Sequence, residues 1–265
     1  MADMNGTSWI DGSSNRCGHE GDLYGGLVAE IFPVLAPPEL WLDDEEVQRS
    51  FIHESGSRSI LELGAGYGRV LFRLAQDKLE VHGIEASRDM VLQAKPYAEE
   101  RNIDPSFITV GDFRDSGTWP EYTVDAVICT DATICLLPDS FALEKVVAAA
   151  VAHLSGEGQM MWTLPSGQSQ NHQAPAQPTV TVEHGSFRYV IREESILSDK
   201  NDELLTLKEI IKFCPHGSLV QRHSALHRRA LFQPSEVVRL FRQYGLEKIS
   251  THGLQDRVVI RGRFK

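Results

Sequence analysis

The sequence lacks most of the features that would place it in a specialised class of protein. Its four cysteines are scattered without a CxxC pair, so their spacing indicates neither a zinc site nor a disulfide framework. Reduced thiols in an intracellular compartment are therefore expected. No apolar run approaches the ~18 residues that a membrane span needs. Residues 1–20 form a polar segment, expected to be flexible, without the apolar centre of a signal peptide. These absences favour a soluble cytoplasmic protein.

An excess of basic charge is also missing. The 265 residues include 26 lysines and arginines against 37 aspartates and glutamates, a formal net charge of −11. Nucleic acids and anionic membranes select basic surfaces, so neither is an expected partner. At 42% hydrophobic residues the chain can bury a substantial core. Its length suits one large domain or a domain with an insertion.

What the sequence does contain is a glycine-rich turn between two apolar runs. The first run, 59–63, opens into three glycines at alternate positions, and a helical pattern follows. The glycines are Gly64, Gly66 and Gly68. A second apolar run then ends in Glu85. Such a unit binds nucleosides, because glycines let a ligand lie against the backbone and an acid about 20 residues on accepts from ribose hydroxyls. A dinucleotide site would need a glycine where Arg69 stands.

Strands and helices alternate through the first part of the chain. Strands are predicted over 59–63, 79–84, 107–110, 124–129 and 159–164, with a turn at 155–158. Helices are predicted over 43–53, 68–76, 88–100 and 139–153, and an earlier one begins at Asp22 and is stopped by Pro33, Pro37 and Pro38. Repeated alternation of this kind implies an α/β protein with a parallel sheet covered by helices on both faces.

The pattern changes after residue 165. A loop rich in Ser, Gln, Asn and Pro leads into strand-like segments at 179–182, 187–193, 204–213 and 218–227. Short turns join these segments, so an antiparallel sheet is predicted, lying over one end of the main sheet. A helix over 234–244 and strands over 246–251 and 257–264 close the chain. The expected organisation is a segment 1–20, a core of 21–165 and 230–265, and an inserted lid of 166–229.

These elements, in this order, resemble a class I S-adenosylmethionine-dependent methyltransferase. Residues 62–69, Glu-Leu-Gly-Ala-Gly-Tyr-Gly-Arg, look like the first motif of that family. Residues 83–90 are similar to its second motif, and Gly111-Asp112-Phe113 matches the third. The resemblance covers roughly 58–164 and 230–265. It implies a Rossmann-like sheet of seven strands with helices on both faces, plus an inserted antiparallel lid.

The resemblance also implies an enzyme whose cofactor is S-adenosyl-L-methionine. It places the ribose hydroxyls on Glu85, the adenine amino group near Asp112, and Tyr24 over the cofactor. Tyr67, where the family often has a small residue, either contacts the ligand or is a packed aromatic. The implied cofactor-binding residues are Tyr24, Glu62, Gly64, Ala65, Gly66, Arg69, Glu85, Ala86, Met90, Asp112, Phe113 and Thr130.

The loop after the fourth strand is expected to face the methyl group, at the carboxyl ends of the strands. Asp131 and Thr130 are its candidate catalytic residues; Asp131 either orients or deprotonates an ammonium substrate or caps the next turn. The basic run 222–229 either binds an acidic group of the substrate or is a solvated strand edge. Trp162 either lines the pocket or belongs to the core. Acceptor contacts are predicted for Asp131, Thr133, Trp162, His227 and Arg228.

A small metabolite is the predicted acceptor, most simply through an amine nitrogen. The insertion is similar to that of methyltransferases acting on small amines, sugars and amino acids. A hydroxyl usually needs a base or a metal, and the sequence shows no acid or histidine cluster with metal spacing, so no metal is expected. The alternatives are an O-methyltransferase of a carboxylate or hydroxyl, and a non-catalytic S-adenosylmethionine-binding regulatory or scaffold protein. An exposed edge of the inserted sheet could support a homodimer.

Overall fold

The computed structural model describes residues 24–37, 42–166, 179–198, 202–254 and 257–265. The predictions for the segment 1–20, for the loop 167–178 and for the turn 199–201 lie outside these residues. Six helices are described: α1 (Leu27–Leu35), α2 (Leu42–Ser55), α3 (Arg69–Gln76), α4 (Arg88–Glu99), α5 (Ser140–Ala152) and α6 (Pro234–Gln243). No helix among the described residues is long and apolar enough to cross a bilayer.

Seven strands form the main sheet. They are β1 (Ser59–Leu63), β2 (Glu80–Glu85), β3 (Ile108–Val110), β4 (Val124–Cys129), β5 (Leu154–Pro165), β10 (Ser250–Leu254) and β11 (Arg257–Arg263). Their order is β10-β11-β5-β4-β1-β2-β3, and only β11 runs antiparallel to its neighbours β5 and β10. The chain first builds outward from β1 and then returns to its other side with β4. The strand order therefore reverses between β1 and β4, where open α/β sheets bind ligands. The predicted Rossmann-like class is confirmed.

The alternation of side chains along β1 divides the core into two layers. Leu61 and Leu63 pack on one face of the sheet with residues of α5 and α6. Ile60 packs on the other face with residues of α3 and α4. Because successive strand residues point to opposite faces, Glu62 shares the face of Ile60, one residue before the strand ends. A carboxylate is thereby buried at the carboxyl end of the central strand.

The remaining four strands form a separate antiparallel sheet in the order β6-β7-β8-β9, which we call the insert. They are β6 (Val180–His184), β7 (Phe187–Leu197), β8 (Glu203–Phe213) and β9 (Leu219–Ala230). Helix α1 packs on the insert through Leu27, Val28 and Ile31. Glu30 of the same helix accepts hydrogen bonds from the Tyr189 hydroxyl and from Lys212 Nζ, both at 2.6 Å. Helix α1 thus joins the insert to the rest of the molecule.

The first helix ends among the prolines predicted to stop it, whereas the predicted start of β5 is wrong. Helix α1 passes through Pro33 and ends at Leu35, before the second of the three prolines. Since Pro33 lies in the last turn, its ring costs the helix a single interior hydrogen bond. The predicted turn 155–158 belongs to β5, which begins at Leu154. Its pairing with β4 shifts register between Val124 and Ala126, and this irregularity accommodates the glycine-rich residues within the strand.

The predicted strand from Leu246 is also wrong, because Leu246 completes the end of α6. Its N–H donates to the Phe241 carbonyl at 2.9 Å, and the Gly245 N–H donates to the Arg242 carbonyl at 3.1 Å. With Gly245 at φ +93°, this is a Schellman motif. Leu246 is buried against the helix, and β10 begins only at Ser250.

We expect Tyr189→Phe to lower the free energy of unfolding by about 1–3 kcal/mol, the range for a hydrogen bond to a charged group. The fully buried hydroxyl donor to Glu30 is lost, while the ring that packs on α1 is kept. Urea denaturation measures the change. Tyr122→Phe, which removes the same atom from a half-exposed ring, is the control. Equal losses in the two variants would contradict a specific bond between α1 and the insert.

Candidate functional site

A cavity of about 520 Å³ opens at the carboxyl ends of β1, β2 and β4, between the main sheet and the insert. All twelve predicted cofactor-binding residues line it: Tyr24, Glu62, Gly64, Ala65, Gly66, Arg69, Glu85, Ala86, Met90, Asp112, Phe113 and Thr130. These residues come from five separate stretches of the chain, which the sheet topology brings to one edge. Their roles toward a ligand stay predictions.

The floor of the cavity is the glycine loop between β1 and α3. The N–H groups of Gly64 and Ala65 donate to the Ile84 carbonyl at 2.8 and 3.2 Å. Gly64 and Gly66 have φ of +72° and +59°, which a residue with a side chain rarely adopts. A Cβ on Gly64 would lie 2.3 Å from Thr133 Cγ2, and one on Gly66 would lie 3.3 Å from Met90 Cε. The loop therefore has no room for a side chain at Gly64, and one at Gly66 would be strained by its φ and would require Met90 to shift by a few tenths of an ångström.

Glu85, at the tip of β2, is held by the backbone around it. Its Oε2 accepts from the Gly66 N–H at 2.8 Å, and its Oε1 accepts from the Ser87 N–H at 2.7 Å. Ser87 in turn caps α4 by accepting from the Met90 N–H at 3.2 Å, as the sequence predicts. The carboxylate is only 8% exposed. These bonds fix its orientation against the glycine loop before any ligand arrives.

Glu62 is the most unusual group of the site. It is 1% exposed, and its Oε1 accepts from the Thr130 hydroxyl at 3.0 Å. Its Oε2 is buried without a hydrogen-bond partner among the described residues. Burial raises the pKa of the Glu62 carboxyl to about 8, although the Thr130 hydrogen bond and the charge of Arg69 act in the opposite direction. At neutral pH the group is therefore largely protonated until a cationic partner reaches it.

The third motif forms the other end of the cavity. Asp112 accepts from Arg114 Nε, at 2.9 Å to Oδ1 and 2.8 Å to Oδ2, and forms an ion pair with the same guanidinium. Burial raises the pKa of Asp112, but the bonds from Arg114 outweigh it and leave the pKa below its usual value. Phe113 is buried, and its carbonyl accepts from Trp119 Nε1 at 2.9 Å. The acid is thus ionised, and the ring beside it is fixed.

Helix α1 and its preceding turn close one side of the cavity. The Tyr24 carbonyl accepts from the Ser87 hydroxyl at 3.0 Å, and the Gly26 N–H donates to Asp89 Oδ2 at 2.7 Å. Tyr67, 2% exposed, packs edge-on against Tyr97 and also lines the cavity, so it is a packed aromatic whose contact with a ligand stays a prediction. Its hydroxyl donates to the Ala36 carbonyl at 2.8 Å.

Asp131 lines the cavity but does not cap the turn that follows it. Its Oδ2 accepts from Arg69 Nη2 at 2.7 Å, and its Oδ1 accepts from Arg257 Nη1 at 2.8 Å. The residue before the following 3-10 turn, Thr133–Leu136, is Ala132, and that turn has no side-chain cap. Both oxygens of the carboxylate are therefore engaged with guanidinium groups, and the role of Asp131 as a base stays a prediction.

Trp162 belongs to the core, so its assignment to the acceptor pocket is wrong. It is fully buried and packs edge-on against Phe241 of α6, with ring centroids 5.3 Å apart. The next residue of β5, Thr163, points to the opposite face, where its hydroxyl accepts from the Ala132 N–H at 3.1 Å. The predicted acceptor residue Thr133 does line the cavity.

The basic run of β9 divides between the two faces of the insert. Arg228 lies on the exposed outer face with Leu226, so its predicted contact with the acceptor is wrong. His227 points inward but is 3% exposed and lies beside Tyr24, with ring centroids 5.6 Å apart, and it does not line the cavity. Burial, with the charges of Lys208 and Arg229, lowers the pKa of His227 to about 4.

Sequence reasoning missed three charged residues that line the cavity, and it included a fourth, Arg229, only as a member of the basic run. The three are Glu193, Lys208 and Arg257. Glu193 and Lys208 are directly opposite in the β7–β8 pairing and form an ion pair. The alternation along β9 does group Arg229 with the inward residues, so its inclusion could have been predicted once the phase of that strand was known. Nothing local to Arg257 indicates its position.

Comparison with known proteins agrees with this arrangement. Residues 60–158 match a protein family described as a methyltransferase domain. The sugar N-methyltransferase KedS8 from Streptoalloteichus sp ATCC 53650 superposes with a TM-score of 0.76 at 20% identity, covering 98% of this chain and 100% of that one. CalS10, an amino pentose methyltransferase from Micromonospora echinaspora, gives 0.71 at 17% identity over 93% and 100%. DesVI from Streptomyces venezuelae gives 0.71 at 18% over 89% and 98%. The comparison with curated protein sequences finds no match.

Residues 60–158 therefore match a methyltransferase domain, and the chain has the fold of the three methyltransferases above. The predicted resemblance to methyltransferases and the predicted enzymatic nature are confirmed, and these matches agree with S-adenosylmethionine as the predicted cofactor. The residues present fit that cofactor, because the glycine loop admits a ligand against its backbone and Glu62 presents a buried, unpartnered oxygen suited to a cationic group.

We expect Glu62→Gln to remove a pH dependence of stability. The folded pKa of about 8 lies above the ordinary value of 4.5, so the folded state holds an extra proton between these values. The free energy of unfolding that this proton contributes is complete below pH 4.5. It is lost as pH rises toward 8, by up to about 1.4 kcal/mol per pH unit. Denaturant titrations from pH 5 to 8 measure the slope, with the exposed Glu157→Gln as control. An unchanged slope in Glu62→Gln would contradict a protonated Glu62.

Proposed function

We propose that this enzyme transfers the methyl group of S-adenosylmethionine to an amine nitrogen of a small polar metabolite, such as an amino sugar. The observation that carries the proposal is the continuity of the cavity. The glycine loop and the inner face of the insert line the same space, which also contains Val180 and Ile191 from the insert. The cofactor and a small acceptor would therefore share one cavity.

The structural neighbours support the proposed acceptor class. KedS8 and CalS10 are methyltransferases of sugars, and their likeness extends over nearly the whole of this chain, insert included. The acceptor side of the cavity here has the charged groups that a polar molecule requires, among them the Glu193–Lys208 pair and Arg229. A flat apolar acceptor would displace water from these charged groups without offering them a polar contact, which is unfavourable in a partly buried site.

The state of Asp131 favours nitrogen over oxygen as the acceptor atom. A hydroxyl acceptor usually needs a base or a metal to ionise it during attack. Asp131, the acid within the acceptor loop, instead has both oxygens engaged with arginines. A neutral amine attacks with its own lone pair, and its proton can leave afterwards to solvent. An amine nitrogen is thus an acceptor that needs neither a base nor a metal from this site to attack the methyl group.

Each part of the chain has a definite task in this proposal. When bound, S-adenosylmethionine supplies a methyl carbon already activated on a sulfonium. Glu85 and Asp112 would hold the nucleoside, and Glu62 would receive the cationic end of the ligand. The loop 130–133 would orient the acceptor in line with the methyl group. Helix α1 and the insert would exclude water from the cavity.

We expect Gly66→Val to abolish cofactor binding. The side chain would fill the space next to the loop backbone and strain a residue at φ +59°. Isothermal calorimetry should show binding by the wild-type enzyme and none by the variant at millimolar S-adenosylmethionine. Gly185→Val is a matched control, because Gly185 also has φ +59° but has no neighbour within 4 Å and does not line the cavity. Failure of the wild type to bind would remove the proposed function.

A panel of amines, amino sugars, amino acids and hydroxylated metabolites tests the acceptor. We expect mass spectrometry to find a mass increase of one methylene on amine-containing acceptors, and fragmentation to place it on nitrogen. Turnover restricted to hydroxyl or carboxylate acceptors would show that the preference for nitrogen is wrong. Cofactor binding with no turnover across a wide panel would favour a regulatory or scaffold protein instead.

A further inference from the structure

The loop that follows β4 has an unusual backbone. Asp131 and Ala132 are consecutive non-glycine residues in the left-handed region, with φ of +52° and +56°. Such residues are uncommon, and each costs free energy that the surrounding structure must supply. Strained backbone of this kind clusters at sites where a particular geometry is required.

Neighbouring elements hold the loop at each of its residues. The Thr130 hydroxyl donates to Glu62 at 3.0 Å, and the Ala132 N–H donates to the Thr163 hydroxyl at 3.1 Å. Thr133 packs against the glycine loop so closely that Gly64 has no space for a Cβ. The loop is therefore in direct contact with the backbone that would carry the cofactor.

Asp131 adds the strongest of these attachments. It lies between Arg69, at the start of α3, and Arg257, at the start of β11. The two arginine side chains are only 6% and 11% exposed, and each donates to a different oxygen of the carboxylate. A buried guanidinium that loses its anionic partner is strongly unfavourable. The three residues, which we call the arginine clamp, therefore fix the loop with respect to both a helix and a strand.

We propose that Asp131 is a positioning residue, which through the arginine clamp holds the acceptor loop in its left-handed conformation against the glycine loop. The inference rests on the proposed function, because it concerns the placement of the acceptor relative to the methyl group. A displacement of about 1 Å from the reactive geometry can lower a rate by about 100-fold. Asp131 acts through its two arginines and takes no proton from the acceptor.

Replacement by Asn and by Ala separates positioning from base catalysis. Asn tolerates the left-handed region and keeps one acceptor oxygen, whereas Ala has neither property. We expect kcat to fall about 10-fold in Asp131→Asn and about 100-fold in Asp131→Ala, with the Kd for S-adenosylmethionine within about threefold of wild type. The acidic limb of the profile of kcat/KM against pH should keep its midpoint in Asp131→Asn. Loss of that limb, with equal falls in both variants, would overturn the proposal in favour of a base.

A matched control removes an arginine–aspartate pair elsewhere. Asp77, which follows the opposite end of α3, accepts from Arg49 Nε at 2.9 Å and Nη2 at 3.1 Å. Asp77→Asn breaks this pair without touching the cavity, so we expect kcat to be unchanged. A fall in kcat equal to that of Asp131→Asn would show a general effect of stability and would overturn the proposal.

A double-mutant cycle with Arg257 keeps the test decisive if Asp131→Ala folds poorly. We expect Arg257→Gln to lower kcat about 10-fold, and the double variant Asp131→Asn/Arg257→Gln to lose no more than the single variants, because the same attachment is removed. Losses that multiply would show independent roles and overturn the proposal. If wild type turned over no acceptor the proposed function would fail, whereas full activity in the Asp131 variants would overturn only this inference.

Discussion

The site depends on the hydrogen bonds that tie the glycine loop to the tip of β2. Gly64 and Ala65 donate to the Ile84 carbonyl, and Gly66 donates to the Glu85 carboxylate. These bonds set the path of the backbone that leaves β1, and hence the point at which α3 begins. They also orient Glu85 with an oxygen on the loop. Both the shape of the cavity and the position of Arg69 follow from this one junction between neighbouring parallel strands.

The cofactor half of the site could be predicted almost entirely from the sequence, because its determinants are local. Glycines at alternate positions, an acid at the end of the next strand and a serine cap are each visible within a few residues. The parallel sheet then brings these strand ends to a single edge. Every residue assigned to the cofactor lines the cavity for that reason.

The acceptor half could not be predicted in the same way, because it depends on strand phase and on distant partners. The side of β5 that Trp162 faces is decided by packing on α6, and the phase of β9 decides that Arg229, not Arg228, reaches the cavity. The role of Asp131 depends on Arg257, whose strand is paired only with β5 and β10. A residue can be assigned from its neighbours in the sequence only when those neighbours also surround it in space.

The arginine clamp also has a consequence for the order in which the molecule is made. The bond between Gly66 and Glu85 joins residues 19 apart, whereas Arg69 and Asp131 are 62 apart, and Asp131 and Arg257 are 126 apart. During synthesis from the amino terminus, the nucleoside half of the site has all its residues long before the final strand leaves the ribosome. The acceptor loop acquires its second guanidinium only when β11 inserts beside β5. Nascent chains would therefore acquire the nucleoside-binding geometry first and the geometry for methyl transfer last.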